Sequence, residues 1–265
     1  MNIKIVVASH KPYAMPSDGA YLPLQVGAAG KPSIRATGVL GVAGACAPEA
    51  DFARDDEGEN ISSRNAGYCE LTGLYWAWRN LKADAVGLSH YRRHFRGAHG
   101  VATGAEFVAL LENFEVVLPR PRNYFIETTY SQYAHAHHAK DLDATRSVIE
   151  ERCPEYLDSF DISMKSTKGH RFNMFVMRRE RFNAYCDWLF GILFALEERI
   201  DVSNYSPYDA RVFGFVGERL LDVWLGGPGG PPANAVAEMP VMHLESQRWP
   251  TKILNFLRRK FLPRK

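Results

Sequence analysis

No apolar run in this 265-residue chain approaches the roughly twenty residues that a membrane-spanning helix requires. The opening residues, Met1-Asn2-Ile3-Lys4-Ile5-Val6-Val7, pass straight into an apolar segment, so no secretory leader is expected. Cysteine is scarce. Cys46, Cys69, Cys153 and Cys186 stand far apart with no Cys-x-x-Cys pair, a pattern that fits reduced, buried thiols better than a disulfide framework or a zinc site. A cytoplasmic protein is expected. Strong net charge is also missing, since 32 Lys and Arg stand against 30 Asp and Glu. That balance hides an asymmetry. From Ser246 onward there are seven cations (Arg248, Lys252, Arg258, Arg259, Lys260, Arg264, Lys265) and no acid, so a net +2 for the chain leaves −5 for the body. A nucleic-acid binder would spread basic charge over a folded face. Nucleic acid is therefore not an expected partner.

With 46% hydrophobic and 23% charged residues, the length suits one large domain, here residues 1–246, followed by a basic tail, 247–265. Residues 3–8 form a Val/Ile-rich run of the kind found in a central parallel strand. Residues 28–59 are rich in Gly, Ala, Pro and Asp and read as a long loop. In 65–81, Leu71, Leu74, Tyr75, Trp78 and Leu81 recur at helical spacing, and a short link then feeds a strand at 85–89. Further on, the pattern predicts a helix through 107–111 and a strand at 114–118. Beyond those lie a strand at 172–177, helices at 180–199 and 210–225, and an edge strand at 236–244. Phe182, Tyr185, Leu189, Ile192, Leu193 and Leu196 make a core stripe.

The most informative stretch is 86–95, where an apolar run ends in His90-Tyr91-Arg92-Arg93-His94-Phe95. In an α/β protein, ligands bind beyond the carboxyl ends of the strands. Guanidinium forks there match phosphate oxygens, and a solvated basic turn is the plain alternative. Strand alternation puts His90 and Arg92 on one side and leaves Arg93 on the other.

Five segments together resemble a bacterial family of surface-polysaccharide glycosyltransferases, long known only as a domain of unknown function and associated with galactofuranosyl transfer from UDP-galactofuranose. They begin with Lys4-Ile5-Val6-Val7-Ala8-Ser9-His10-Lys11 and Gly58-Glu59-Asn60-Ile61-Ser62. The helix from Tyr68 to Trp78 follows, running into His90-Tyr91-Arg92-Arg93. The last two are Tyr130-Ser131-Gln132-Tyr133-Ala134-His135-Ala136-His137-His138 and Gly169-His170-Arg171-Phe172-Asn173-Met174-Phe175. A loop at 41–56, longer and more Ala-rich than the family's pattern, is the departure. The resemblance implies an α/β GT-A-like (Rossmann-like) fold, a mixed central sheet flanked by helices with a helical acceptor-side part. In most GT-A enzymes an Asp-x-Asp element at the strand end holds a divalent cation on the donor diphosphate. Here basic residues occupy that place, so neither a divalent cation nor any other cofactor is expected.

Site roles follow from the same resemblance. His90, Arg92 and Arg93 would neutralise the diphosphate, with Lys11 and Arg171 as further cations. Ser9, His10 and Lys11 stand where base and ribose lie in such a sheet, and Glu70 would bond sugar or ribose hydroxyls. Phe172-Asn173-Met174 resembles a segment that contacts donor and acceptor, which puts Asn173 at the donor. Asp209, opening the helix after the acceptor-side loop, is the expected catalytic base, an ordinary helix cap being the alternative. Glu218, one of few acids in that helix, is the second choice. On the acceptor side stand Tyr130, His135 and His138. The two histidines would share a helical face and serve as hydrogen-bond groups, with no ligand set beside them to complete a metal site.

The implied activity is inverting, metal-independent transfer of galactofuranose to a lipid-linked glycan in capsule, O-antigen or exopolysaccharide synthesis. Transfer of another hexose from UDP, or non-catalytic glycan or nucleotide binding, are the alternatives, and homo-oligomerisation stays open. In the tail, Ile253, Leu254, Leu257 and Phe261 form a stripe beside Lys252, Arg258, Arg259 and Lys260, with Trp249 and Phe256 added. This pattern fits a basic amphipathic helix docking on the inner face of an anionic plasma membrane, or a helix packed on protein.

Overall fold

A computed structural model describes residues 1–40 and 51–245. Cys46, part of the 41–56 loop and the amphipathic tail lie outside the described residues.

The chain opens with β1 (Ile3–Ser9) and β2 (Tyr21–Gln25), and the long loop contributes a short β3 (Ala53–Arg54). The expected helix at 65–81 is two pieces, α1 (Asn65–Tyr68) and α2 (Leu71–Asn80). Cys69 breaks it by taking φ 53°, a left-handed value that a continuing helix excludes. Next come β4 (Ala85–His90), β5 (Arg93–Gly97) and β6 (Gly100–Val101), then α3 (Gly104–Asn113) and β7 (Val116–Pro119). The helix α3 starts in a full capping box, Thr103 with Glu106. A small ribbon is made by β8 (Arg122–Asn123) and a later β9 (Lys168–Gly169), and between them lie α4 (Thr129–Ala136), α5 (Ala139–Arg152) and α6 (Leu157–Lys165). The chain ends in β10 (Phe175–Arg178), α7 (Arg179–Glu197), α8 (Val212–Gly226), β11 (Val236–Met239) and β12 (Val241–His243).

The main sheet runs β11-β7-β10-β4-β1-β2-β3. Its β1 lies parallel to both β2 and β4, whereas β10 is antiparallel to β4 and β7, so the sheet is mixed as expected. The strand predicted at 172–177 begins only at Phe175, because Phe172 (φ 82°) and Asn173 (φ 51°) form a left-handed turn before it. The expected edge strand 236–244 divides at Pro240. One half, β11, pairs with β7, and the other, β12, with β5.

Period-two alternation along β1 divides the core. Val6 and Ala8 pack on the side of α2, α5, α7 and α8, and Ile3, Ile5 and Val7 on the side of α3. The predicted stripe on α7 is buried throughout. At Gly87 a Cβ would meet Val176 Cγ2 at 2.8 Å, so the close approach of β10 to β4 depends on that glycine. The crevice that matters lies where the chain diverges, β2 on one side of β1 and β4 on the other, beyond the paired carboxyl-terminal residues Ala8 and His90. No helix among the described residues is long and apolar enough to cross a membrane.

Candidate active site

A cavity of about 670 Å³ opens beyond Ala8 and His90. Cationic side chains on its wall are Arg92, Arg93 and Arg211, and the carboxylates are Glu70 and Glu218. His10 and His90 add two imidazoles, that of His10 pushed toward its neutral form by burial and then Lys11. Thus His10, Glu70, His90, Arg92, Arg93 and Glu218, singled out from the sequence, converge on one space.

The geometry of the basic pair differs from strand alternation. The strand stops at His90, Tyr91 and Arg92 make a tight turn, and Arg93 returns on β5 directly opposite His90. Residues opposite one another across antiparallel strands share a face. His90 and Arg93 are therefore the pair on one face, not His90 and Arg92. Arg93 lies with its guanidinium carbon 4.5 Å from the centre of the Phe172 ring. Its Nε is buried without a hydrogen-bond partner, and it makes no ion pair among the described residues. Burial, then the neighbouring Arg92, lower its pKa from the usual arginine value. Glu218 and Glu70 act against this without outweighing it, and an anion would relieve the remainder. Arg92 is more exposed and reaches Glu245 at 3.3 Å.

The left-handed turn at Phe172 and Asn173 is clamped by the cavity's own residues. Glu218 Oε2 accepts the Phe172 N–H at 2.8 Å, and His90 Nε2 meets the Phe172 carbonyl. Glu70 Oε1 accepts from Asn173 Nδ2 at 2.7 Å and lies 3.8 Å from His90 Nε2. Asn173 is buried and is not on the cavity wall, so it holds Glu70 in place. Burial alone would raise the pKa of Glu218, but Arg219, Arg171, the Phe172 N–H and His90 outweigh it, and the net direction is down. Glu218 is thus an ionised carboxylate facing the cavity. Each of its oxygens has a spare lone pair beyond the bonds from Phe172 and Arg219.

Several expected residues lie elsewhere. The Ser9 hydroxyl is buried and donates to the Lys11 carbonyl at 2.7 Å, closing the turn after β1. Lys11 is exposed, with its ammonium 5.3 Å from the Tyr91 ring at the cavity edge. Arg171 is buried away from the cavity wall, bonded to the His170 carbonyl (2.8 Å), Thr129 (3.1 Å) and Asp222 (3.3 Å). Its guanidinium therefore braces α4 and α8 rather than an anion. Asp209 is also buried off the wall. It accepts from the Ser206 hydroxyl at 2.8 Å, and Ser206 accepts the Asp209 N–H at 3.1 Å. That reciprocal pair ties Asp209 to the Ser206 turn, and its carboxylate caps neither the turn Asp209–Arg211 nor α8. Its carboxylate is flanked by His137 and His138 at 3.6 and 3.9 Å.

His135 and His138 do not share a helical face, because α4 ends at Ala136 and His138 caps α5. His135 pairs with Glu127 at 2.6 Å. Tyr130 bonds Asp143 at 2.9 Å beside a separate cleft between α4, α5 and α6. Among the described residues, no three His, Cys, Asp or Glu side chains cluster as a metal site would need.

Sequence reasoning passed over Arg211 and Cys69. Arg211 Nε donates to Cys69 Sγ at 3.0 Å, and its guanidinium carbon lies 5.2 Å from the Phe215 ring. Burial, then Glu70, push the Cys69 thiol up to about 11, so it stays protonated. The signal for Arg211 was its place two residues beyond Asp209, on the same single turn of helix (Asp209–Arg211).

Residues 4–227 match the family described as a domain of unknown function, DUF4422. The chain belongs to the DUF4422 family. No curated protein matches it in sequence. Among solved structures, the apo form of WbbM, a bifunctional glycosyltransferase, is similar over 93% of this DUF4422 chain at 28% identity, with a TM-score of 0.80. The chain spans 46% of WbbM, about half its length. The fold is GT-A-like, as the motifs implied.

Proposed function

We propose that this protein is a glycosyltransferase that draws its sugar from a nucleoside diphosphate donor, UDP-galactofuranose, and inverts the anomeric centre without a divalent cation. The observation that carries the reading is Arg93, a half-buried arginine at the start of β5, opposite the carboxyl end of β4. It is stacked on Phe172 with its Nε buried and unbonded, and without a close ion pair among the described residues. The likeness to a bifunctional glycosyltransferase supports the reaction class. The motif resemblance supports the donor, inversion and a cytoplasmic site of action in capsule, O-antigen or exopolysaccharide synthesis.

In this mechanism Arg93, Arg92 and Arg211 surround the diphosphate, with His90 and His10 as hydrogen-bond groups beside them. The acceptor hydroxyl attacks the anomeric carbon as the bond to the diphosphate oxygen breaks, and the electron pair of that bond leaves with UDP. Fixed cations stabilise this developing charge without reorganising. Glu218 takes the hydroxyl proton, displacing Asp209 from that role because Glu218 lines the cavity and Asp209 does not. The diphosphate raises the basicity of Glu218 by placing negative charge nearby. Glu70, held by Asn173, bonds a sugar or ribose hydroxyl. The acceptor is a glycan on a lipid carrier, and the basic tail at 247–265 docks on anionic membrane.

A panel of UDP-sugars tests the reading, with UDP release as the readout. Release with UDP-galactofuranose, unchanged by EDTA, is expected. Release only with UDP-galactopyranose assigns another hexose, and loss of activity in EDTA with recovery in Mn²⁺ refutes the role given to His90, Arg92 and Arg93. No release with any donor points to a binding protein.

A further inference from the structure

The ribbon of β8 and β9 leads into a loop that exposes large apolar side chains. Phe125 is 80% exposed and Ile126 59%, and Ile162 on α6 is 70% exposed. Hydrogen bonds tie the loop to the end of α6. The Tyr124 N–H reaches the Thr167 carbonyl at 2.9 Å, the Thr129 N–H reaches Ser166 at 2.8 Å, and the Ser166 N–H reaches Ile162 at 3.1 Å. These bonds set the loop beside the end of α6, so the three exposed apolar residues belong to neighbouring segments of one region of the surface. Phe125 also holds φ 56°, where a non-glycine residue costs on the order of 1–3 kcal/mol. Asn123 Oδ1 fixes this conformation by accepting the Phe125 N–H at 2.8 Å. A loop facing only water gains nothing from a strained turn that holds a phenyl ring outward.

Cations outnumber acids along this edge, where the acids beside Ile162 are Asp158, exposed one turn earlier on α6, and Asp161, paired with Arg146. Arg120, Lys165 and Lys168 are exposed and Arg122 is half-buried, and none of the four forms an ion pair among the described residues. Size favours a bilayer over a protein partner. A phenyl side chain contributes about 150–250 Å², so three protruding side chains fall short of the roughly 800 Å² per partner of a stable protein interface. Exposed apolar groups with an excess of lysine and arginine beside them match an anionic membrane interface.

We propose that this edge is a membrane-docking tip, in which Phe125, Ile126 and Ile162 enter the headgroup region while Arg120, Arg122, Lys165 and Lys168 meet lipid phosphates. The tip adjoins the cavity. The Arg122 guanidinium carbon lies 5.5 Å from the ring of Phe172, on the cavity wall, and Phe125 is three residues further on, at most about 10 Å of chain. Docking would bring the cavity to the bilayer surface, where a lipid-linked acceptor presents its hydroxyl. That consequence rests on the glycosyl transfer proposed above; docking itself does not.

The experiment uses the full chain and vesicles of equal parts phosphatidylglycerol and phosphatidylcholine, with phosphatidylcholine vesicles as the second arm. Phe125→Ser with Ile126→Ser should lower partitioning onto the anionic vesicles about ten-fold per side chain, with the thermal midpoint unchanged because both residues are exposed. Lys165→Glu with Lys168→Glu should weaken the preference for anionic vesicles, the part due to the basic tail remaining, and an unchanged preference overturns the role given to these lysines. Phe125→Trp should add emission that is quenched by lipids brominated along the acyl chain. Unchanged partitioning in the serine variant, or no added quenching, overturns the proposal. So does a wild-type oligomer in size exclusion that the serine substitutions dissociate, which assigns the edge to a protein. Donor hydrolysis should be equal in all these variants. Docking that fails while UDP release persists sinks the tip alone, and docking without UDP release from any donor sinks the transferase reading alone.

Discussion

Replacing Arg92 and Arg93 separately with alanine should give unequal losses, with Arg93 the larger. Arg93 stands opposite His90 and over the Phe172 ring. No carboxylate forms a close ion pair with it among the described residues, Glu218 and Glu70 acting on it only from further off. Removing such a preorganised contact costs about 2–4 kcal/mol of transition-state stabilisation, a fall of about 30- to 1,000-fold in kcat/KM. Arg92 is 41% exposed on its side chain and already reaches Glu245 at 3.3 Å. Solvent screening limits such a group to about 1 kcal/mol, less than ten-fold. Lysine at 93 should not restore activity, since it loses both the planar stack on Phe172 and the fork that matches two phosphate oxygens. The assay is UDP release at several donor concentrations, with a melting curve for each variant to show that it folds. Arg122, 5.5 Å from the same ring, keeps Phe172 covered in the alanine variant. Wild-type kinetics for Arg93→Ala, or a larger loss from Arg92→Ala, refutes the assignment.

Glu218→Gln should depress transfer far more than Asp209→Asn, because only Glu218 meets the cavity and the amide cannot take a proton; the reverse order in UDP release would return the base to Asp209. The Asn change should instead lower the melting temperature, since it disturbs the buried bonds to Ser206. Acid should destabilise the protein through His94, whose pKa burial and then His90 lower to about 4 from an ordinary value of 6.5. The unfolded chain then binds more protons between those values, so this stability is complete above pH 6.5 and is lost as pH falls toward 4. The loss amounts to about 3 kcal/mol. His94→Leu should flatten that part of the denaturant-unfolding profile, and an unchanged profile would show that His94 is not responsible.

Local pattern alone determined much of this protein. The apolar alternation of β1, the helical stripe of α7 and the basic residues after β4 are properties of adjacent residues, and burial periodicity makes them readable. Four of the site residues, His10, His90, Arg92 and Arg93, were legible because strand ends and their flanking residues stay together whatever the rest of the chain does. Glu70 and Glu218, on helices, came instead from the resemblance and the scarcity of acids. Tertiary structure decided what distant segments do to one another. The left-handed turn at Phe172 and Asn173 is held from elsewhere in the chain, by His90 and Glu218 on the Phe172 backbone and Glu70 on the Asn173 side chain, while the break at Cys69 is bridged locally by Asn65. The reversal at Tyr91 and Arg92, which exchanges the faces of the two arginines, depends on β5 pairing with β4 and β12. Arg211 enters the cavity, and Asp209 does not, because one tight turn of helix rotates two neighbours in different directions. His135 and His138 part because the chain breaks at His137 to begin a new helix. Periodicity records which face of an element is buried, but the side chains that meet in a cavity are chosen by packing among elements far apart in sequence.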